Sequence, residues 1–289
     1  MSRPDDPNAA DALVLGAGGV AGIAWQLGLL AGLAAGGHDL TRADLVIGTS
    51  AGATVAAQIT AGVPLEELVA RQVDPALRGP ELPPGVPAAT RRVTIAALVA
   101  DATSPAERRR RIAAAALRAD TVAPAARRAV IAARLPRHAW PDADLRIVVV
   151  DATTGARRVL TRADGLPLVD AVAASCAVPL TWPPVVLDGR PHVDGGLWSG
   201  ENADLAAGAR RVVVLAPSLG ASLAAGGGLA EQVAALRHDG TAVTVLRPDD
   251  PARAAIGDDP LDPEARAPAA LAGREQGRAL AAARSSVAA

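Results

Sequence analysis

The chain has 289 residues, half of them hydrophobic and a fifth charged, which excludes a disordered or fibrous protein. With 29 basic and 30 acidic residues the formal net charge is −1, so no cationic surplus is available to hold a nucleic-acid backbone. Every basic residue is Arg, and with no Phe or Tyr and only four Trp there is little to stack bases on, so nucleic acid is disfavoured as a partner on two counts. The single cysteine, Cys176, rules out an internal disulfide framework and a Cys-rich metal site. Residues 1–11 read as an acidic, Pro-containing tail without an apolar signal core. The expectation is therefore a cytoplasmic protein with one domain over residues 12–289.

Leu13-Val14-Leu15 is a short apolar run that stops at Gly16, the pattern of a buried strand. A Gly-rich loop follows, and Ile23 to Leu33 has apolar residues at helical spacing before Gly36-Gly37. The stretch from Ala12 to Ala35 is broken by glycines and a Gln, so it reads as strand, loop and helix rather than a membrane span. A second strand, Leu45-Val46-Ile47, runs into Gly48-Thr49-Ser50-Ala51-Gly52, and small residues from Ala53 to Ala61 predict a tightly packed helix. This alternation implies parallel strands in a doubly wound α/β sheet. From Pro64 to Pro141 prolines and Arg clusters (Arg108 to Arg111, Arg127-Arg128) mark short amphipathic helices, read as a lid or variable insertion over 64–141. The Arg108 to Arg111 run is taken as a solvated face beside Glu107 and Asp120.

Leu145 to Val150 resumes strand character, with a turn at Thr153-Thr154-Gly155 and a paired strand from Arg158 to Thr161. Leu168 to Ser175 reads as a helix ending before Pro179. Val185 to Leu187 and His192-Val193 form a hairpin that delivers Asp194-Gly195-Gly196. Val212 to Leu215 and Val243 to Leu246 are two further strands. The last helix starts near Pro263, after Asp262 as a cap, and Gly226 to Gly228 is a flexible loop.

Gly48-Thr49-Ser50-Ala51-Gly52 is a Gly-x-Ser-x-Gly between a buried strand and a helix, the context of a nucleophile elbow. Nine serines and 28 glycines give only ~0.08 chance matches to this pattern. Glycines flank the serine because a Cβ at Gly48 or Gly52 would strike the neighbouring strand or helix, and Ser50 is presented at the positive end of the following helix. Gly16 to Gly22 has two readings. One is a dinucleotide fingerprint, which lacks a carboxylate at the end of the next strand. The other is an oxyanion hole, with N–H groups brought close to Ser50, and it accounts for both loops together.

A serine nucleophile needs a base. Of His38, His138, His192 and His238, only His238 follows the order Ser, acid, His, and it reads better as a cation at a helix C-terminus. The competing base is Asp194, the one Asp-Gly pair followed by a second Gly; burial would raise its proton affinity toward that of a general base. Asn202 has two readings, an orienter of the Asp194 loop and, preferred, the cap of a helix starting near Ala203.

Three ordered blocks together resemble the patatin-like phospholipases, serine–aspartate dyad acyl hydrolases: Leu15 to Leu33, Ile47 to Gly52, and Ala174 to Leu197 with its Trp182-Pro183-Pro184 and Val193-Asp194-Gly195-Gly196. The resemblance implies a three-layer, mostly parallel sheet with a helical lid. It further implies Ser50 and Asp194 as the dyad, Gly18, Gly19, Val20 and Ala51 as oxyanion donors, Gly48 and Gly52 as the elbow glycines, and Gly195 and Gly196 as the acid loop. The substrate would be a lipid or small acyl ester, met through transient contact with a membrane surface, with no cofactor and no metal. One departure is Ala21, which stands where the family loop has Arg or Lys. Trp25 and Trp182 are candidate liners of an acyl pocket. The alternatives are a catalytically weak lipid-binding member of the fold and a dinucleotide-binding oxidoreductase. Head group, chain length and oligomeric state are not legible.

Overall fold

The computed structural model describes residues 10–218 and 228–287. The tail at 1–9 and the glycines 226 and 227 lie outside the described residues. Eight strands form one sheet: β1 (Asp11–Leu15), β2 (Leu45–Thr49), β3 (Asp144–Asp151), β4 (Arg157–Leu160), β5 (Val185–Leu187), β6 (Arg190–Asp194), β7 (Arg211–Leu215) and β8 (Ala242–Leu246). Their spatial order is β5-β6-β3-β2-β1-β7-β8, with β4 paired to β3 off this path. The pairs among β8, β7, β1, β2 and β3 are parallel; β4, β5 and β6 add antiparallel pairing at the far side.

The helices are α1 (Gly19–Ala35), α2 (Ala51–Ile59), α3 (Leu65–Val73), α4 (Ala88–Val99), α5 (Pro105–Ala116), α6 (Pro124–Arg134), α7 (Leu168–Ser175), α8 (Leu229–His238), α9 (Asp250–Ile256) and α10 (Arg266–Val287). They cover both faces of the sheet, which is why its strands are spelled as unbroken apolar runs. Alternation along β1 divides the core. Leu13 and Leu15 join a cluster with α1, α2, α3, α7 and α10, whereas Ala12 and Val14 face Val212, Val214 and α8 on the other side. The result is a three-layer, mostly parallel α/β sandwich.

The segment 64–141 does not behave as one layer. Leu68 and Val69 of α3 are buried in the main core, and α3 packs on α1 and α10. The helices α4 and α5 instead form a small cluster, with Ile95 and Ile112 against Val193 and Leu197 of the acid block. The Arg108 to Arg111 face is only partly solvated: Arg109 is buried, donates from Nε to the Gly155 carbonyl at 3.1 Å, and stacks 4.1 Å above the Trp198 ring. No helix among the described residues is long and apolar enough to cross a membrane.

Position in the sheet sets the site. Strand β1 is the point from which the parallel strands run outward both ways, to β2 and β3 on one side and β7 and β8 on the other. Ligands of doubly wound sheets bind at the carboxyl ends of strands at such a switch. The loops leaving β1 and β2 there are Gly16 to Gly18 and the single residue Ser50.

Candidate active site

Ser50 joins β2 directly to α2 with φ 55 and ψ −115. A residue with a side chain held there costs of order 1–3 kcal/mol and persists only where its surroundings over-determine it. They do so at Ser50. Its N–H donates to Ser175 Oγ at 2.9 Å, and Ser175 Oγ donates onward to the Val148 carbonyl at 2.6 Å. Its carbonyl accepts from the Ala53 and Thr54 N–H groups and from the Cys176 thiol at 3.2 Å. A Cβ on Gly48 would lie 2.6 Å from Ala53 Cα, and one on Gly52 would overlap the Leu15 carbonyl. The elbow therefore closes only with glycine at both places.

The hairpin of β5 and β6 ends at Asp194, whose side chain is buried. Oδ1 accepts the Gly196 N–H at 2.7 Å, while Oδ2 is buried and has no donor among the described residues. Burial is the largest influence on this carboxyl and pushes it up to about 7, against the opposing pull of the Ser50 hydroxyl and the Gly196 N–H. The Ser50 hydroxyl thus lies against the carboxylate and acts on its proton affinity, although no well-aligned hydrogen bond joins the two. A Cβ on Gly195 would overlap the Val148 carbonyl, so the acid loop reaches the sheet edge only without a side chain there.

The loop after β1 is pinned on both sides. The N–H groups of Gly16 and Ala17 donate to the carbonyls of Leu215 and Gly200, and those of Ala21 and Gly22 to Pro260 and Gly18. Between these anchors, the amides of Gly18, Gly19 and Val20 meet no acceptor among the described residues, and neither does the amide of Ala51. These groups sit at the starts of α1 and α2, where orphan N–H groups and the helix dipoles favour negative charge. Gly19, Val20, Ser50 and Ala51 wall one solvent-open cleft that encloses about 20 Å³.

Its apolar side is Ile23, Val178, Trp182 and Leu261; its polar side is Glu81, Arg127 and Arg134. Arg127 lies 3.8 Å above the Trp182 ring and donates from Nη1 to Glu81 Oε1 at 3.2 Å; Arg134 pairs with Glu81 Oε2. All three are nearly buried, with side chains 7%, 8% and 11% exposed for Arg127, Arg134 and Glu81. Burial, with Arg134 beside it, lowers Arg127 to about 10. Burial alone would raise Glu81, but the two guanidinium groups outweigh it and hold its carboxyl below the usual range.

Trp25 is not a liner: it is fully buried in the core and donates from Nε1 to Gln276 Oε1 at 2.9 Å. Asn202 stands at the N-cap position of the 3-10 turn Ala203–Ala206, but its side chain makes no capping hydrogen bond. It adopts φ 56, and its Nδ2 donates to Thr49 Oγ1 at 3.0 Å and the Ser199 carbonyl at 2.7 Å, tying the acid block to the strand end that carries Ser50. His238 is the exposed last residue of α8 and His192 is buried with Nδ1 on the Arg190 carbonyl; neither lines the cleft. Among the described residues no group of three or more His, Cys, Asp or Glu converges on a metal-sized position.

Ser175, Glu81, Arg127 and Arg134 are site residues that sequence reasoning missed. For α6 a signal was present: Arg127 and Arg134 are seven residues apart and share a face with the buried Val130 and Ile131. A family model described as patatin-like phospholipase matches residues 13–207. Among solved structures, VipD from Legionella pneumophila is similar at 13% identity and a TM-score of 0.49, with 96% of this chain and 67% of that chain covered. No curated protein matches.

Proposed function

This chain belongs to the patatin-like phospholipase family, and from that premise we propose that it is a serine acyl hydrolase cleaving fatty-acyl esters through a Ser50–Asp194 dyad. The observation that carries the reading is the buried Asp194 carboxylate, with one oxygen lacking a donor and a proton affinity near neutrality, set against a strained serine. Such a carboxylate is matched to general-base work at physiological pH.

Asp194 takes the Ser50 hydroxyl proton as Oγ attacks the ester carbonyl. The oxyanion so formed is held by the amides of Gly18, Gly19, Val20 and Ala51, which spend no hydrogen bond elsewhere in the described chain. Collapse of the tetrahedral species breaks the ester C–O bond, and Asp194 returns its proton to the departing alkoxide. Water, deprotonated by Asp194, then attacks the acyl-Ser50 ester; the Oγ–C bond breaks, Asp194 hands the proton to Ser50 Oγ, and the fatty acid leaves. Loss of one oxyanion donor costs about 3–4 kcal/mol of barrier, so the loop is worth as much attention as the dyad.

Three large apolar residues of 64–141, Leu77, Val93 and Leu117, are exposed. A transient contact of this segment with a lipid surface as substrate enters is part of the proposal.

The test is covalent labelling with a fluorophosphonate, together with hydrolysis of p-nitrophenyl acyl esters. Wild type should label and turn over; Ser50→Ala should do neither, and Asp194→Asn should lose about 10³-fold or more in turnover while remaining folded. Labelling that survives in Ser50→Ala would remove Ser50 as nucleophile. A wild type that binds acyl chains but neither labels nor hydrolyses would make the chain a lipid-binding member of the fold.

A further inference from the structure

Behind Arg134, sharing Val20 and Ile23 with the cleft at Ser50, lies a second cavity of about 110 Å³. Four guanidinium groups wall it: Arg71, Arg78, Arg134 and Arg266, from α3, the turn after it, α6 and the start of α10. No carboxylate is among its lining residues. Arg71 is spoken for by Glu67, four residues earlier on α3, at 2.6 Å. Arg134 pairs with Glu81 Oε2, and Glu81 divides its charge between Arg134 and Arg127. Arg78 and Arg266 have no carboxylate partner among the described residues.

Their hydrogen bonds leave them under-used as well. Arg266 is buried and gives Nε to Gln72 Oε1 at 3.1 Å, with no partner for its two terminal nitrogens among the described residues. Arg78 makes one long contact, from Nη2 to the Val73 carbonyl at 3.4 Å, and its buried Nε has none. Gln58 donates to the Arg134 carbonyl at 2.8 Å, leaving its buried Oε1 without a donor. Burial lowers the proton affinity of Arg266 most; the charges of Arg134 and Arg78 lower it further, against a partial opposing pull from Glu81. Cations that repel one another around a partly buried space, with unpaired donors among them, are an arrangement that an anion relieves.

Resting on the hydrolase reading above, we propose that this cavity is a phosphate-binding subsite next to the scissile ester. The occupant is a phosphate group rather than a single carboxylate, because several forked donors converge from three directions and a phosphate offers three or more acceptor oxygens with up to two charges. Val20, Ile23 and Arg134 line both spaces, so a phosphate bound here adjoins the cleft that holds Ser50. The source is either the phosphate of the substrate's alcohol half or free inorganic phosphate, and the two are separable.

Binding is measured first, on Ser50→Ala protein, by calorimetry and thermal melting with inorganic phosphate at constant ionic strength. Phosphate should raise the melting temperature, and Arg78→Gln or Arg266→Gln in the same background should abolish that rise. Arg78→Lys, which keeps the charge, should restore part of it, so that loss of folding is told apart from loss of the site. Turnover is then compared for a monoacylglycerol and the same monoacylglycerol carrying a phosphate.

With the head group as source, wild type favours the phosphate-bearing ester by about tenfold or more in kcat/KM, and each Gln variant removes this preference while keeping the neutral ester within about twofold. Inorganic phosphate then competes with the phosphate-bearing ester only. With free phosphate as source, it changes turnover of both esters alike and the two esters are used equally. Absence of phosphate binding to the Ser50→Ala protein, together with equal use of both esters in wild type and variants, overturns the subsite. Phosphate binding without hydrolysis of either ester would instead sink the hydrolase reading and leave the subsite standing.

Discussion

Asp194 acts on rate and on stability in opposite directions. Its carboxyl titrates near 7 in the folded chain against 3.8 for the free group, because burial disfavours the charge. The folded state therefore binds this proton more tightly than the unfolded state does. Its contribution to stability is fully present below 3.8, falls as pH rises, and is lost by about 7. The swing amounts to roughly 3–5 kcal/mol. Asp194→Asn, which cannot ionise, should gain melting temperature relative to wild type as pH is raised from about 5 to about 8, while wild-type kcat/KM climbs over the same interval as the base loses its proton. A wild type whose rate is flat across neutrality would show that Asp194 is not the base. The second residue-scale expectation concerns Ser175, whose Oγ accepts the Ser50 N–H. Ser175→Ala orphans that buried donor, at a cost of about 1–3 kcal/mol, and loosens the turn that holds the nucleophile. Thermal melts should show the loss, and kcat should fall more than KM rises.

At the scale of elements, α1 and α10, about 250 residues apart in the chain, pack along a close seam made of glycines. A Cβ on Gly28 or Gly32 would overlap the carbonyls of Ala270 or Arg274, and one on Gly273 or Gly277 those of Trp25 or Leu29. Gly277→Val must push the helices apart, and since α1 begins at the Gly-rich loop, the shift reaches the free amides of Gly19 and Val20. Stability should drop by about 2–3 kcal/mol in denaturant melts, with loss of turnover out of proportion to the unfolded fraction at assay temperature. This seam was not legible, because glycines within α1 read as breaks in an apolar run and nothing local says what they will meet. The strands were legible because burial on both faces spells them as continuous Val, Leu and Ile. The elbow was legible because sterics allow only glycine at positions 48 and 52. Arg127 and Arg134 were not, since an Arg on a helix is first read as solvated, and the carboxylate that makes their burial tolerable, Glu81, is about fifty residues away in sequence.

Glu81 is also where the whole molecule is held together around its cleft. It precedes α4, pairs with two arginines of α6, and those arginines wall the space in front of Ser50. On the opposite rim Arg91 of α4 pairs with Asp259 at 3.4 Å, and the Pro260 carbonyl next to it anchors the Ala21 amide behind the oxyanion loop. Within the segment 64–141, Glu81 thus straps the stretch before α4 to α6; Arg91 with Asp259 and Arg127 over Trp182 reach out of the segment, and Leu68 of α3 and Ile131 of α6 are sunk in the main core. Removing one member of a buried ionic group costs far more than exchanging the group for apolar residues, because the partners stay behind uncompensated. Glu81→Gln leaves Arg127 and Arg134 facing each other, and should cost about 3–5 kcal/mol in melts while opening residues 78–141 to limited proteolysis. Adding Arg127→Gln removes one of the stranded cations, so the double variant should be more stable than Glu81→Gln alone, the non-additivity that marks direct coupling. The pH dependence has the sign opposite to that of Asp194. Glu81 is held below its usual range, so its contribution is present above 4.5 and lost as pH falls. Wild-type protein brought down through the carboxylate range should therefore acquire the same new cleavage sites that Glu81→Gln shows at neutral pH, and cleavage confined to other segments would show that the strap does not govern access to the cleft.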